Sequence, residues 1–264
     1  MIRIILACFF LLFSFNAFAQ QDPPPSLYEG GEKGTKKIMP ELPKLWLNLN
    51  TGLAFSQGQY ASAVEYERAG YAQTGIEVST DIGYKLFKFG GLNFEAAWCH
   101  NPYNNKAFVF DVNNLSNETN FTSNNTLAWQ HFYCLAGPYF ALASNDIMIE
   151  IAIKGGYARS WLPQTKLTAA DNTGYTYQRN ALQGGGPAYG ACFRLNRKIN
   201  KHWYAALKGS YLFSAPAIHA EIVSNGLNYH FEAYNTYKQP VNIVSLSLGM
   251  TYVFRKKIRF SEEE

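Results

Sequence analysis

The amino-acid sequence predicts an all-β fold, an eight-stranded antiparallel up-and-down transmembrane β-barrel. Three observations support this prediction. Apolar residues alternate with polar or small residues along eight segments, which is the pattern of β-strands. The connections between these segments are alternately short and long, as in barrels that cross a membrane. The first residues also have the pattern of an export signal.

The chain is expected to begin with a signal peptide over residues 1–19. Arg3 provides the positive charge, an apolar run covers residues 4–15, and small residues predict cleavage after Ala19. A membrane anchor is the alternative, but spanning a bilayer takes about 20 apolar residues and this run is shorter. The sequence therefore predicts export and processing.

The predicted barrel occupies residues 45–254. A flexible periplasmic lead segment rich in Pro, Gly and Lys precedes it over residues 20–44, and a periplasmic C-terminal tail follows over residues 255–264. The eight alternating segments lie at residues 45–55, 76–86, 92–98, 127–140, 147–157, 187–195, 203–213 and 244–254.

The lengths of the connections predict the orientation of the barrel. Short turns are expected at 87–91, 143–146 and 196–201, and long loops at 56–74, 101–126, 162–185 and 214–240. Short turns lie in the periplasm and long loops outside the cell in bacterial barrels. The glycines at 184–186 are expected to form a flexible entry to the sixth strand. The last loop is rich in aromatic residues, and exposed loops on a rigid scaffold often bind partners.

Charged residues within the strands are expected to face the lumen, because the other face of each strand would contact lipid. An eight-stranded barrel has an interior that its own side chains fill. Charges confined there are expected to pair with one another. The predicted lumen ion pairs involve Glu77, Asp81, Glu95 and Glu150 with Lys85, Lys154, Arg194 and Lys208.

Aromatic residues are expected to form two belts at the membrane interfaces. Trp98, Trp129 and Trp161 lie where strands meet the long loops, and Trp203 and Tyr252 lie near the short turns. Two belts around an aliphatic band favour a membrane barrel over a soluble one with an apolar core.

The last segment contains a polar residue, a glycine and aromatic residues at alternate positions: Ser247, Gly249, Tyr252 and Phe254. This looks like the C-terminal signal that the outer-membrane insertion machinery reads. With the eight-strand pattern, residues 45–254 resemble the small outer-membrane β-barrels typified by the transmembrane domains of OmpA and OmpX. The resemblance implies the cell outer membrane as location, and outer-membrane lipid and the insertion machinery as partners. One departure is that residues 255–264 follow Phe254.

No spacing in the sequence is typical of a metal site or a cofactor site. Cys99, Cys134 and Cys192 are all expected to face the lumen, as small buried residues or with one disulfide among them. His100 and His131 are expected on the lipid face near the outer rim. A serine beside His131 would form a Ser–His pair, which is the basis of an enzymatic alternative.

Composition limits the possible functions. The chain is 47% hydrophobic and 16% charged, which argues against disorder. A net charge of +4 is too balanced for a nucleic-acid partner. The favoured function is structural or surface-interacting, through extracellular protein or glycan contacts at the loops. The alternatives are a narrow channel or small-solute porin, and a lipid-modifying enzyme.

Overall fold

The computed structural model describes residues 42–63, 69–115, 121–123, 128–144, 146–170, 174–180, 183–226 and 229–254. The predicted signal peptide, the lead segment as far as residue 41 and the tail at 255–264 lie outside these residues. The elements are β1 (Leu45–Gln57), β2 (Gly75–Phe87), β3 (Gly90–Pro102), α1 (Asn105–Leu115), β4 (Phe121–Ser123), β5 (Ala128–Ala143), β6 (Ile147–Trp161), β7 (Thr165–Ala169), β8 (Thr176–Arg179), β9 (Gln183–Lys198), β10 (Trp203–Ser214), β11 (Ala217–Gly226), β12 (Tyr229–Lys238) and β13 (Val241–Phe254).

Eight of these strands form a closed antiparallel barrel, which confirms the predicted fold class. The order around the wall is β1, β2, β3, β5, β6, β9, β10 and β13, and β13 pairs back onto β1. The closing register runs from Leu45 opposite Phe254 to Gln57 opposite Asn242. Closure leaves no free strand edge in the wall, a requirement for a sheet that crosses lipid.

The barrel is apolar outside and polar inside. On β6, Ile151 and Ile153 are 53% and 69% exposed, whereas Glu150 and Lys154 beside them are 0% and 3% exposed. The alternation follows from the strand period of two. A soluble barrel would bury the aliphatic side chains, so this arrangement is that of a barrel surrounded by lipid.

The long connections are not plain loops. They contain α1 and the strands β4, β7, β8, β11 and β12, and we call these described segments between barrel strands the cap. Strands β12, β11, β8, β7 and β4 are paired in that order, and β11 also pairs with the end of β9, so that this sheet continues from the barrel wall. No helix among the described residues has the length and hydrophobicity to cross a membrane.

The prediction that three glycines form a flexible entry to a strand is wrong, because Gly184, Gly185 and Gly186 lie inside β9. Gly185 is required by a close approach: a Cβ atom at this position would lie 1.9 Å from the Tyr157 hydroxyl oxygen. Gly185 therefore lets the Tyr157 side chain of β6 lie against the wall.

Closure predicts heat-modifiable migration on SDS gels. Because every wall strand is paired on both sides, the barrel should resist SDS until it is boiled. We expect unboiled protein to migrate at a different apparent mass from boiled protein. Identical migration of the two samples would contradict a closed barrel.

Candidate functional site

The centre of the lumen is occupied by buried ions around Asp81. Its carboxylate accepts contacts from Lys154 at 3.2 Å, Arg194 at 2.7 Å and Lys208 at 3.2 Å. All four side chains are essentially inaccessible to solvent. One carboxylate that contacts three cations joins β2, β6, β9 and β10 across the interior.

Two further carboxylates balance these cations. Glu95 forms ion pairs with Lys154 and, at 2.5 Å, with Lys208. Glu150 contacts Arg194 at 3.1 Å. Three acids and three bases therefore form one network, in which buried charge is compensated by opposite charge.

Strand register explains why these side chains meet. Glu95 lies opposite Asp81 on the neighbouring strand, and Arg194 lies opposite both Glu150 and Lys208. Each residue occupies an inward position of its strand, so that cross-strand neighbours share the same face. The ladder thus places acids and bases at one level of the barrel.

The structure does not bring the other two predicted ion-pair residues into this network. Glu77 Oε2 instead accepts hydrogen bonds from the Tyr133 hydroxyl at 3.0 Å and the Ser245 hydroxyl at 2.8 Å, with the Cys99 thiol at 3.7 Å. Lys85 is half-buried near the end of β2, opposite Gly91. Glu77 therefore belongs to a separate layer nearer the cap.

Side chains also fill the lumen on the side of the ion network that faces away from the cap. The Asn48 amide donates to Thr251 Oγ1 at 2.7 Å, and Thr251 donates to Asn196 Oδ1 at 2.7 Å. The Trp46 ring lies against the Arg194 guanidinium, with the central carbon 4.7 Å from the ring centroid. A cavity beside Glu95 has a volume of about 10 Å³, which is room for about one water molecule.

The cap has a buried core to which every long connection contributes. Its most buried members are Tyr60 and Tyr71 from the first connection, Phe108 from the second, Leu167 from the third and Ile218 from the fourth. Burial of a large apolar side chain contributes about 1.5–3 kcal/mol. The four connections are therefore held together as a folded unit.

Aromatic contacts define the centre of this core. The Tyr71 ring lies 5.4 Å from the Phe108 ring and 5.6 Å from the Tyr103 ring, measured between centroids. The Tyr71 hydroxyl donates to Asp111 Oδ2 at 2.7 Å. Burial raises the pKa of Tyr103 to about 12, although Arg179 nearby opposes this shift. These hydroxyls are therefore protonated at neutral pH.

A Ser–His–Tyr contact joins the cap to the barrel wall. The Tyr60 hydroxyl lies 2.6 Å from His131 Nε2, and His131 Nδ1 lies 2.7 Å from Ser160 Oγ. Either ring nitrogen of His131 can carry the proton, so the tautomer decides which group donates in each of these two contacts. The arrangement fastens Tyr60 of the cap to β5 and β6.

Three predictions for β5 are wrong. His131 and Trp129 are each 1% exposed and face inward, and Cys134 is exposed on the outside. Trp129 is therefore not part of the aromatic belt; its indole nitrogen donates to the Gly70 carbonyl oxygen at 2.7 Å. The segment is apolar on both faces, so its sequence does not show whether its odd-numbered or its even-numbered residues face the lumen. Cys99 and Cys192 are buried, and all three cysteines are free thiols.

The remaining belt residues lie near the ends of their strands. The residues of the C-terminal motif lie along β13. Trp98 and Trp161 are half-buried, as is Tyr252, while Trp203 is 39% exposed. The Tyr252 ring packs edge-on against Trp203 at 5.0 Å and Phe254 at 4.9 Å. In the same strand, Ser247 is buried in the lumen, and Gly249 lies opposite Asn50 where a Cβ would meet the Leu49 carbonyl oxygen at 2.1 Å.

The sequence interpretation missed the cap and its outermost hairpin, β11 and β12. Among the described strands, β12 pairs with β11 alone, over its whole length. Tyr234 and Phe231 on this strand are 77% and 45% exposed. The alternation of apolar and polar residues between Ala217 and Lys238 is the signal that could have identified the hairpin.

No family model matches the chain, and no curated protein matches it. Among solved structures, the chain is similar to a major outer membrane protein from Thermus thermophilus, with 11% identity and a TM-score of 0.46 over 80% of this chain and 99% of that one. It is similar to OprG from Pseudomonas aeruginosa, with 11% identity and a TM-score of 0.41 over 82% and 99%. It is also similar to the outer membrane protease OmpT from Escherichia coli, with 9% identity and a TM-score of 0.39 over 81% and 95%.

The barrel's own geometry determines its class. The wall is closed, most outward side chains along it are aliphatic or aromatic, and the lumen contains buried polar and ion-paired side chains. This is the construction of transmembrane barrels of the outer-membrane type. The chain is a small eight-stranded outer-membrane β-barrel protein, located in the cell outer membrane.

Proposed function

We propose that this barrel is a closed scaffold that presents its cap for contact with proteins or glycans outside the cell. The exposed hairpin is the observation that carries the proposal. Its outer strand β12 offers one unpaired edge among the described strands, together with the exposed side chains of Tyr234 and Phe231. Exposed aromatic side chains are frequent energetic anchors of interfaces.

The filled lumen supports a scaffold rather than a pore. The network around Asp81 spans the interior, and the layer of Asn48 and Thr251 lies beneath it. The core of the cap covers the other end. A diffusion pathway would require these groups to separate, at the cost of unpaired buried charge.

Adhesion of cells that display the full chain tests the proposal. Such cells should bind an immobilised extracellular protein or glycan, and the double variant Phe231→Ser/Tyr234→Ser should bind at least about 30-fold more weakly, the effect of a hot spot of about 2 kcal/mol. Phe110→Ser is the matched control, since Phe110 on α1 is 65% exposed. No binding to any coated surface would contradict the proposal, and an equal loss in the control would show that the β11–β12 hairpin is not the contact surface.

Conductance provides a second test. Purified protein in planar bilayers is expected to give no large, stable openings, because the ion network and the cap obstruct the lumen. Stable porin-like steps from the wild-type protein would instead favour the narrow-channel alternative. A variant that lacks the β11–β12 hairpin provides a control for obstruction by that part of the cap alone.

A hydrolase acting on lipid is a second candidate, favoured by one observation, the 2.7 Å contact between His131 and Ser160. Against it, Ser160 is 0% exposed and lies on the inner face. A fluorophosphonate probe should leave Ser160 unlabelled in the folded protein. Labelling that disappears in Ser160→Ala, and lipid turnover that disappears with it, would establish the enzymatic function.

A further inference from the structure

We infer that the rim of short turns binds anionic phospholipid headgroups of the periplasmic leaflet. The rim consists of the described residues at the ends of β1, β2, β3, β5, β6, β9, β10 and β13 that face away from the cap. Its exposed cations are Lys44, Lys88, Arg197, Lys198 and Lys201, and its exposed acid among the described residues is Asp146. This imbalance contrasts with the lumen network, where three acids meet three bases.

The cations lie at three of the four positions around the rim. Arg197, Lys198 and Lys201 surround the turn between β9 and β10, and Lys44 precedes β1, which is joined to β10 through β13. Lys88 lies in the next turn, between β2 and β3. Asp146 lies in the remaining short turn, between β5 and β6, where its backbone carbonyl oxygen accepts a hydrogen bond from the Lys198 amide at 2.7 Å. The positive charge is therefore an arc rather than an even ring.

Apolar side chains set the level of these cations relative to the bilayer. Exposed apolar residues alternate with them along the rim: Phe87, Phe89, Ile199, Trp203 and Phe254. The Lys88 ammonium lies 5.1 Å from the Phe89 ring centroid, and the Lys44 ammonium lies 5.9 Å from that of Tyr84. When the aliphatic part of a lysine side chain packs along an apolar surface, its ammonium group lies at the membrane interface.

Charge and depth together identify the ligand. Lipid phosphates lie at the interface, next to the hydrocarbon that contacts the aliphatic band. A basic cluster at this level attracts anionic lipid, with up to about a fivefold effect for each Lys or Arg. A zwitterionic headgroup carries its own compensating cation, so the arc should prefer lipids with net negative charge.

Lipid spin labels test this inference with the full chain in phosphatidylcholine vesicles. We expect the motionally restricted fraction of labelled phosphatidylglycerol to exceed that of labelled phosphatidylcholine severalfold. The preference should disappear at about 1 M salt, where the screening length is about 3 Å. Both leaflets have the same composition, so the orientation of the protein in the vesicle does not affect the result.

Matched variants locate the binding surface. Lys198→Gln/Lys201→Gln should reduce the phosphatidylglycerol preference by about fivefold for each charge at most, whereas Lys106→Gln/Lys166→Gln removes two exposed cap lysines and should leave it unchanged. Heat-modifiable migration checks that both variants are folded. Equal association of the two labelled lipids, or an equal loss in both variants, would overturn the inference. Binding of a soluble anionic glycan fragment without any lipid preference would overturn it in favour of a soluble partner.

Discussion

Asp81→Asn is expected to lower the free energy of unfolding in lipid vesicles by about 3–5 kcal/mol. The wild-type carboxylate contacts Lys154, Arg194 and Lys208, which are all buried. An amide of nearly the same shape keeps the packing but removes the negative charge, so three cations are left with two carboxylates. Urea titration followed by gel migration of unboiled samples measures the change.

Glu77→Gln is the matched control for this experiment. Glu77 is equally buried, but its described contacts are with hydroxyl and thiol groups, from Tyr133, Ser245 and Cys99. Its replacement should cost about 1–3 kcal/mol, the penalty for leaving a buried polar group without its hydrogen-bond partner. Equal destabilisation by the two variants would show that burial alone matters and would contradict a central role for the ion network.

Ile151→Arg is expected to destabilise the inserted barrel by about 2–4 kcal/mol, because Ile151 is on the outward face of β6 and an arginine there would enter the hydrocarbon. Ile151→Ala controls for the loss of the side chain and should cost less, since no charge enters lipid. Arginine at the adjacent Ala152 would enter a filled lumen, where crowding adds its own penalty of about 1–3 kcal/mol. The folded fraction after urea treatment measures each effect.

A spin label at Ile151→Cys separates a lipid-facing position from a buried one directly. Oxygen, which partitions into the bilayer, should raise the relaxation rate of the label far more than a water-soluble nickel chelate does. A label on Ala152→Cys, which is 1% exposed, should be shielded from both reagents. Preferential quenching by nickel at position 151 would contradict the assignment of this face to lipid.

The closed interior and the folded cap have different physical origins. Charges fill the lumen because the wall leaves no room for bulk water around them. The cap folds because each long connection has too little apolar surface to be stable alone, whereas Tyr71, Phe108, Leu167 and Ile218 bury one another. The wall therefore positions the folded cap outside the membrane.

The arrangement of the strands could be predicted from the sequence because the signal is local. A period of two in a segment such as 147–157 specifies a strand, and the apolar face of that strand specifies which side meets lipid. The lengths of the intervening segments then determine the up-and-down order. The aliphatic exterior of β6, with Ile149, Ile151 and Ile153 exposed, agrees with this interpretation.

The parity of β5 could not be predicted in this way. Phe132, Tyr133, Cys134 and Leu135 are consecutive apolar residues, so both faces have nearly the same local pattern. The register with β3 decides the matter, since it places His131 opposite the inward Cys99. A shift of one residue turns every side chain of a strand to the opposite face. The predicted faces of His131, Trp129 and Cys134 are therefore all wrong for the same reason.

The sequence by itself determined the class of barrel, the order of its strands and the set of charges expected inside it. Only the tertiary structure decided which charges meet, because the pairing of Asp81 with Lys154, Arg194 and Lys208 depends on registers around the whole barrel. It likewise decided that the loops form a cap. Tyr60 and His131 are 71 residues apart in the chain, and a contact at that separation leaves no trace in local periodicity.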